Sequence, residues 1–382
     1  MSVQRVSDGW LIGAEAEQPW LIGVLECAGV TLWWPADGGE PGGLVWDAPR
    51  ASGWIDAVFP GTVRALAAAG AFAGDVGDGA EDPAAVEPAT SATAGTADDA
   101  GGSAVPVAGG AAGSVAVPDA HDGPLTESAR AAALGAWRAA WWPASRIAGV
   151  AALDPRIVAA ERIAALADLD GVLDDDGAIE RALADWAVAA AAFGAAGDGD
   201  AGPLLRRAAE IADDYGVPLG APAVPQPRAD DYALAAAGDG QAAALARGES
   251  RVDPLALPGG VVDPAGSVSW SVALGAGGAT LAVSVPAGPQ FAGAEAPRAG
   301  LVATVAGVEV PLALAGDVWA GAVAVPATFL SAAAGAGAAL AVVGFAPDQP
   351  EIGGDEHPAD VLIRIARDRL ARGESLAERL AR

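Results

Sequence analysis

The sequence predicts an α+β, multidomain protein. In order it reads as a small Trp-rich, β-containing N-terminal unit (1–73), a disordered acidic linker (74–123) and a helical bundle (125–216). A Pro/Ala-rich connector (217–250), an antiparallel β-sandwich-like domain (251–347) and a C-terminal helix (358–382) follow. Three observations predict this order. Six of the 12 tryptophans fall in the first 73 residues, the composition changes abruptly at Gly74, and the apolar period switches from helical to alternating after residue 250. A chain of 382 residues has the length for two or three domains.

In the first unit, Trp10-Leu11-Ile12-Gly13 is echoed by Trp20-Leu21-Ile22-Gly23, ten residues later. Strands are expected near 10–14, 20–26 and 29–34, with a turn over Pro35-Ala36-Asp37-Gly38-Gly39 and a helix from Thr62 to Ala73. So many tryptophans in a small unit read first as core, because large side chains supply burial that a short chain otherwise lacks. A recognition surface is the second reading.

From Gly74 to Gly123 the chain is mostly Ala, Gly, Asp, Ser, Thr and Pro, with nine acids, no arginine, no aromatic and no leucine or isoleucine. Such a segment cannot bury enough apolar surface to offset its ordering entropy, so a charged, expanded linker is expected.

Helical signals take over at Glu127 to Trp142, stopped by Pro143. Asp154-Pro155 opens a second helix to about Leu169, an acidic cap followed by proline at the first helical position. Ile179, Leu183, Trp186, Ala190 and Phe193 make one stripe, and Leu204, Ala208, Ile211 and Tyr215 another, so the helices must pack on each other. Alternation then appears at Val268–Leu274, Leu281–Val285, Val308–Leu314 and Trp319–Val325, with a further strand at Ala339 to Ala346. The tail from Pro358 is a helix weakened at Gly373.

Composition limits the function. All 21 basic residues are arginine, and asparagine is absent too, the mark of a GC-rich genome such as that of a high-GC bacterium. The net charge of −28 disfavours nucleic acid and anionic lipid as partners. One cysteine, Cys27, cannot form an internal disulfide, which suits a reducing compartment. Glu15, Glu17 and Gln18 interrupt any secretory apolar region. Val318 to Pro347 carries no charge, but Pro326, Thr328 and Ser331 break it and its Val and Leu residues alternate, so strands are expected and not a membrane span. The location expected is cytoplasmic.

Candidate chemistry is sparse. Asp168-Leu169-Asp170-Gly171-Val172-Leu173 resembles the first motif of haloacid-dehalogenase-type phosphatases. The resemblance implies Asp168 as nucleophile, Asp170 as acid/base, and Mg²⁺ as cofactor. It covers six residues, and that family sets its motif at the end of a buried parallel strand, whereas a helical stretch precedes it here. The same letters also read as a turn and cap between two helices. An EF-hand register fails, because Gly177 at position 6 puts Val172 at position 1, and Gly171 there puts Leu166 at position 1. His121 and His357 are the only histidines, and without lysine there is no Walker A loop.

The reading that results is a non-catalytic intracellular adaptor or scaffold with a protein partner and no cofactor. The alternative is a Mg-dependent phosphohydrolase-like enzyme centred on Asp168 and Asp170. The C-terminal helix supplies the partner-binding candidates Leu362, Ile365, Arg367, Arg369 and Arg372, apolar residues for a groove and arginines for an acidic rim.

Overall fold

The computed structural model describes residues 2–13, 15, 18–72, 115–116, 122–175, 177–193, 199–218, 244–275, 278–289, 300–345 and 356–382. The chain opens with β1 (Ser2–Val6), β2 (Gly9–Ile12), β3 (Ile22–Cys27), β4 (Val30–Pro35) and β5 (Gly42–Val45). With β6 (Val115–Ala116) they form one antiparallel sheet in the order β3-β4-β5-β2-β1-β6. Two short helices follow β5, α1 (Ala48–Ala51) and α2 (Thr62–Ala68). The tetrapeptide echo does not repeat structurally. Trp10 to Ile12 belong to β2, whereas Pro19 turns Trp20 and Leu21 into a 3₁₀ segment before β3 begins.

Val115 and Ala116 fall within the stretch expected to be linker, yet they pair with Val3 and Ser2 of β1. The remaining linker residues 74–114 and 117–121 lie outside the described residues. The next helices start and stop near the expected positions: α3 (Pro124–Trp141), α4 (Pro155–Ala167), α5 (Ala178–Phe193) and α6 (Gly202–Asp214).

The sheet and these helices, read from the sequence as separate parts, share one core. Val3, Ile12, Leu32 and Trp34 from the strands and Ala133, Ile163, Leu183 and Ala212 from the helices belong to the same buried cluster. α3 lies so close to β3 that a Cβ on Gly23 would stand 2.4 Å from the Ala133 carbonyl oxygen. Only glycine lets the helix backbone approach the strand that far.

The second half is built from β7 (Ala244–Arg251), β8 (Ser267–Gly275), β9 (Gly278–Pro286), β10 (Leu301–Val305), β11 (Val308–Ala315), β12 (Val318–Val325), α7 (Phe329–Ala333) and β13 (Ala338–Val342). These strands are antiparallel, as expected, but the sandwich is corrected to a single seven-stranded sheet, β13-β10-β11-β12-β9-β8-β7. β11 pairs with β10 through Leu312 and with β12 from Ala313 onward, so one strand carries the sheet round a corner. The curl brings β13 back against β7 and β8, and the Ala338 N–H donates to Ser250 Oγ at 2.8 Å. Inside it lie Val268, Trp270, Val272, Leu281, Val283 and Val310. Alternation specifies one buried face per strand, and a curled sheet satisfies that as well as two stacked sheets do.

The uncharged stretch after Val318 forms β12, α7 and β13. Among the described residues no helix is long and apolar enough to cross a membrane. The tail forms α8 (Pro358–Arg372) and α9 (Leu376–Leu380), separated by Gly373 in the left-handed region at φ 61°. Gly373 is the residue that α8 uses to stop.

The contact between α3 and β3 gives a direct test. Gly23→Ala should lower stability by about 1–3 kcal/mol through overpacking. Gly53→Ala, which meets nothing within 4 Å, should leave the urea midpoint of the full chain nearly unchanged.

Candidate functional site

Among the described residues, the strongest concentration of buried charge lies where α8 and α9 meet α3. Arg138 and Arg369 are 6% and 0% exposed, and Glu378 is 0% exposed. Local sequence builds this meeting. Ser375-Leu376-Ala377-Glu378 is a capping box: the Glu378 N–H donates to Ser375 Oγ, and the Glu378 side chain reaches back to the Ser375 N–H. Its carboxylate then does more than cap. Oε1 accepts from Arg138 Nε at 2.9 Å and from Arg369 Nε at 2.7 Å, while Oε2 accepts from the N–H groups of Glu374 and Ser375.

Arg369 also donates from Nη1 to the Ala36 carbonyl at 3.0 Å, and its guanidinium lies 5.9 Å from the Trp137 ring centroid. Trp137 in turn donates to the Trp20 carbonyl at 2.9 Å. The Leu376 N–H donates to Glu161 Oε1, which ties α9 to α4. An apolar jacket of Trp20, Trp142, Ile157, Leu255, Leu362 and Ile365 encloses the group.

Burial works against the Glu378 and Arg369 charges. It raises the Glu378 carboxyl, but the Arg138 and Arg369 charges, the Arg138 hydrogen bond and the Ser375 N–H outweigh it and hold the carboxyl below its ordinary value. Burial, followed by repulsion from Arg138, lowers Arg369, and Glu378 and Glu374 only partly offset this. Glu378 accepts four hydrogen bonds within the chain, so the group is equipped for cohesion and not for proton transfer to a substrate.

A second buried polar centre joins the helices to the curled sheet. Asp263, 1% exposed, accepts from Ser145 Oγ at 2.6 Å, from the Arg146 N–H at 2.9 Å and from the Ala265 N–H at 3.1 Å. Arg146 continues across the junction to the Ala287 carbonyl at 3.2 Å.

The residues singled out from the sequence fall elsewhere. Asp168 caps the C-terminal end of α4 at the surface, where its carboxylate accepts from Arg207 at 2.6 Å and Ser128 at 3.3 Å. Asp170 starts a short 3₁₀ segment and accepts from the Tyr215 hydroxyl at 2.9 Å. The motif therefore closes a helix, and the described strands are antiparallel in both sheets, so it does not sit at the end of a parallel strand. Among the described residues no group of three or more His, Cys, Asp or Glu side chains could hold a metal ion.

On α8, Leu362 and Ile365 are 1% and 3% exposed, turned into the protein's own interior. The arginines are engaged too: Arg364 with Glu356, Arg367 with the Ala148 carbonyl, Arg369 as above, and Arg372 with Glu374. Arg379 donates to the Gly373 carbonyl, and Arg382 to those of Leu370 and Ala371. The groove and rim expected of a partner are supplied by this chain.

Of the six N-terminal tryptophans, Trp20, Trp33 and Trp34 are buried and Trp10 and Trp54 partly so. Trp46 stands 42% exposed beneath the Arg50 guanidinium. Burial, with a smaller push from Asp174, takes the Cys27 thiol up to about 12, far from a reactive thiolate.

Glu378 and Arg138 escaped the sequence reading, though both left a trace. The capping-box letters mark Glu378, and Arg138 interrupts an apolar face that contains Leu134 and Trp137.

Removing one member of a buried ion group leaves the others uncompensated. Glu378→Ala should therefore lower stability by about 3–5 kcal/mol, whereas Arg130→Ala, at the exposed rim against Glu374, should change it by less than about 1 kcal/mol. Because the folded carboxyl is depressed, its contribution is full above 4.5 and is lost as pH falls through the folded value. Urea midpoints should thus fall on acidification more steeply in wild type than in Glu378→Gln. Compared with protein-family models, curated proteins and solved structures, the chain matches none of them.

Proposed function

We propose that the chain is a non-catalytic, protein-binding scaffold that engages a basic partner through its acidic segment 73–114. One observation carries the reading: the residues on either side of that segment lie on a single core. Phe72 before it and Val115 after it pack against the same buried cluster, and Val115 pairs with Val3. The residues on either side of the segment thus belong to one packed body, and the segment's sequence carries Asp75, Asp78, Glu81, Asp82, Glu87, Asp98 and Asp99 with no basic residue. Such a charge run attracts a basic protein surface at long range, while the net charge of −28 repels phosphate backbones.

The interior supports the same reading. Its buried carboxylates, Glu378 and Asp263, are committed to holding segments together, and Asp168 and Asp170 are bound at the surface by Arg207 and Tyr215.

Affinity capture from the native host tests this with three baits: the full chain, a chain of equal length with the acids of 73–114 replaced by serine and glutamine, and Asp168→Ala. Capture should be lost with the neutralised segment, persist with Asp168→Ala, and weaken as salt rises. Capture indifferent to the segment would sink the proposal. So would hydrolysis of a phosphate ester by the full chain that Asp168→Ala abolishes.

A further inference from the structure

His357 stands at the junction of α8 with the curled sheet and takes no part in the features above. It is the N-cap of α8, and its Nδ1 accepts from the Ala359 N–H at 3.3 Å. Only an unprotonated Nδ1 can do so. Arg251 at the end of β7 and Asp360 in the first turn of α8 form a two-pronged ion pair at 2.6 and 2.9 Å, which fastens the helix to the sheet. The charged groups facing the imidazole are Arg251 from β7, Asp253 from the turn after it and Asp360 from α8, while the adjacent Glu356 is taken up by Arg364.

We propose that His357 is a pH-sensitive latch: neutral, it caps α8, and protonated, it releases the first turn of the helix from the sheet. A proton on Nδ1 turns the cap's acceptor into a donor facing the Ala359 N–H. It also adds positive charge at the positive end of the helix and next to Arg251. The imidazolium then competes with Arg251 for Asp360, which weakens the ion pair between β7 and α8. Burial and Arg251 hold the histidine below its ordinary value of 6.5, against the pull of Asp360 and Asp253. With a depressed folded value, the latch is fully closed above 6.5 and opens as pH falls through the folded value.

Hydrogen exchange on the full chain tests the latch at about pH 7.5 and about pH 5.5, with rates corrected for intrinsic exchange. In wild type, protection of Val361 to Ile363 should fall roughly five-fold at the lower pH, the loss expected when a helix cap is removed. His357→Asn, which caps without titrating, should show no such loss, and α3 should be unchanged in both. Equal loss in both proteins, or none in wild type, would overturn the proposal. If His357→Asn fails to fold, an NMR titration of His357 in wild type decides instead. A midpoint below 6.5 that coincides with the loss of protection supports the latch, and a midpoint at or above 6.5 overturns it.

Discussion

Glu378 between Arg138 and Arg369 is the interaction on which the placement of the two C-terminal helices depends. These three side chains come from α9, α3 and α8, and Arg369 adds the Ala36 carbonyl at the end of β4. An ion group this dry is not a large source of net stability, since the cost of stripping water from three charges is comparable to what their attraction returns. What it supplies is selection among packings. An apolar helix face can slide by a turn against another and lose little, but a displaced Glu378 would leave two buried guanidinium groups without the carboxylate between them. Two positive charges against one carboxylate would still be unbalanced. Glu374 at the rim, 3.5 Å from Arg369, adds a second carboxylate where water can share the load, and it also meets Arg130 at 3.1 Å and Arg372 at 2.8 Å.

That arrangement explains why α8 resembles a docking helix in the sequence and is not free to act as one. Its amphipathic stripe and its arginines are what a partner-binding helix would carry, and pattern alone does not say whose groove they meet. The nine residues beyond Gly373 decide it, because they fold back as α9 and put a carboxylate between arginines that would otherwise be solvated. The apolar stripe then closes over Trp20, Trp142 and Leu255, residues from three distant parts of the chain.

Much of the helical half was legible because its signals are local. Asp154-Pro155, the stripes of α5 and α6 and the glycine after α8 each specify a boundary within a few residues. Strands were legible where one face is buried, as in β8 and β9, and illegible where it is not. β7, at the end of the sheet order, reads Ala-Leu-Ala-Arg-Gly-Glu-Ser-Arg; none of its residues is fully buried and its half-buried positions hold Ala246, Gly248 and Ser250, so it carries no apolar alternation and passed for connector. β1 buries only Val3, and β6 is two residues long. The sites were less legible than the fold. Asp168 and Asp170 drew notice by spacing, and the helix start at Asp154-Pro155 already showed that a helix, not a strand, precedes them. Arg138 and Glu378 lie 240 residues apart, and only the fold brings them together.

The same non-local logic recasts the acidic segment. Composition divides the chain at Gly74 and suggests two bodies with a tether between them. Yet the residues on either side share a core, and α3 presses directly on β3 through Gly23. For a chain joined this way, lengthening the excursion costs little, because loop-closure entropy grows only with the logarithm of length. In the proposed reading its charge answers to a partner's surface, while the residues that flank it are fixed by packing. Binding specificity and fold stability are in that case carried by different residues. This division lets an interior with no spare donor or acceptor on Glu378 coexist with a strongly charged exterior.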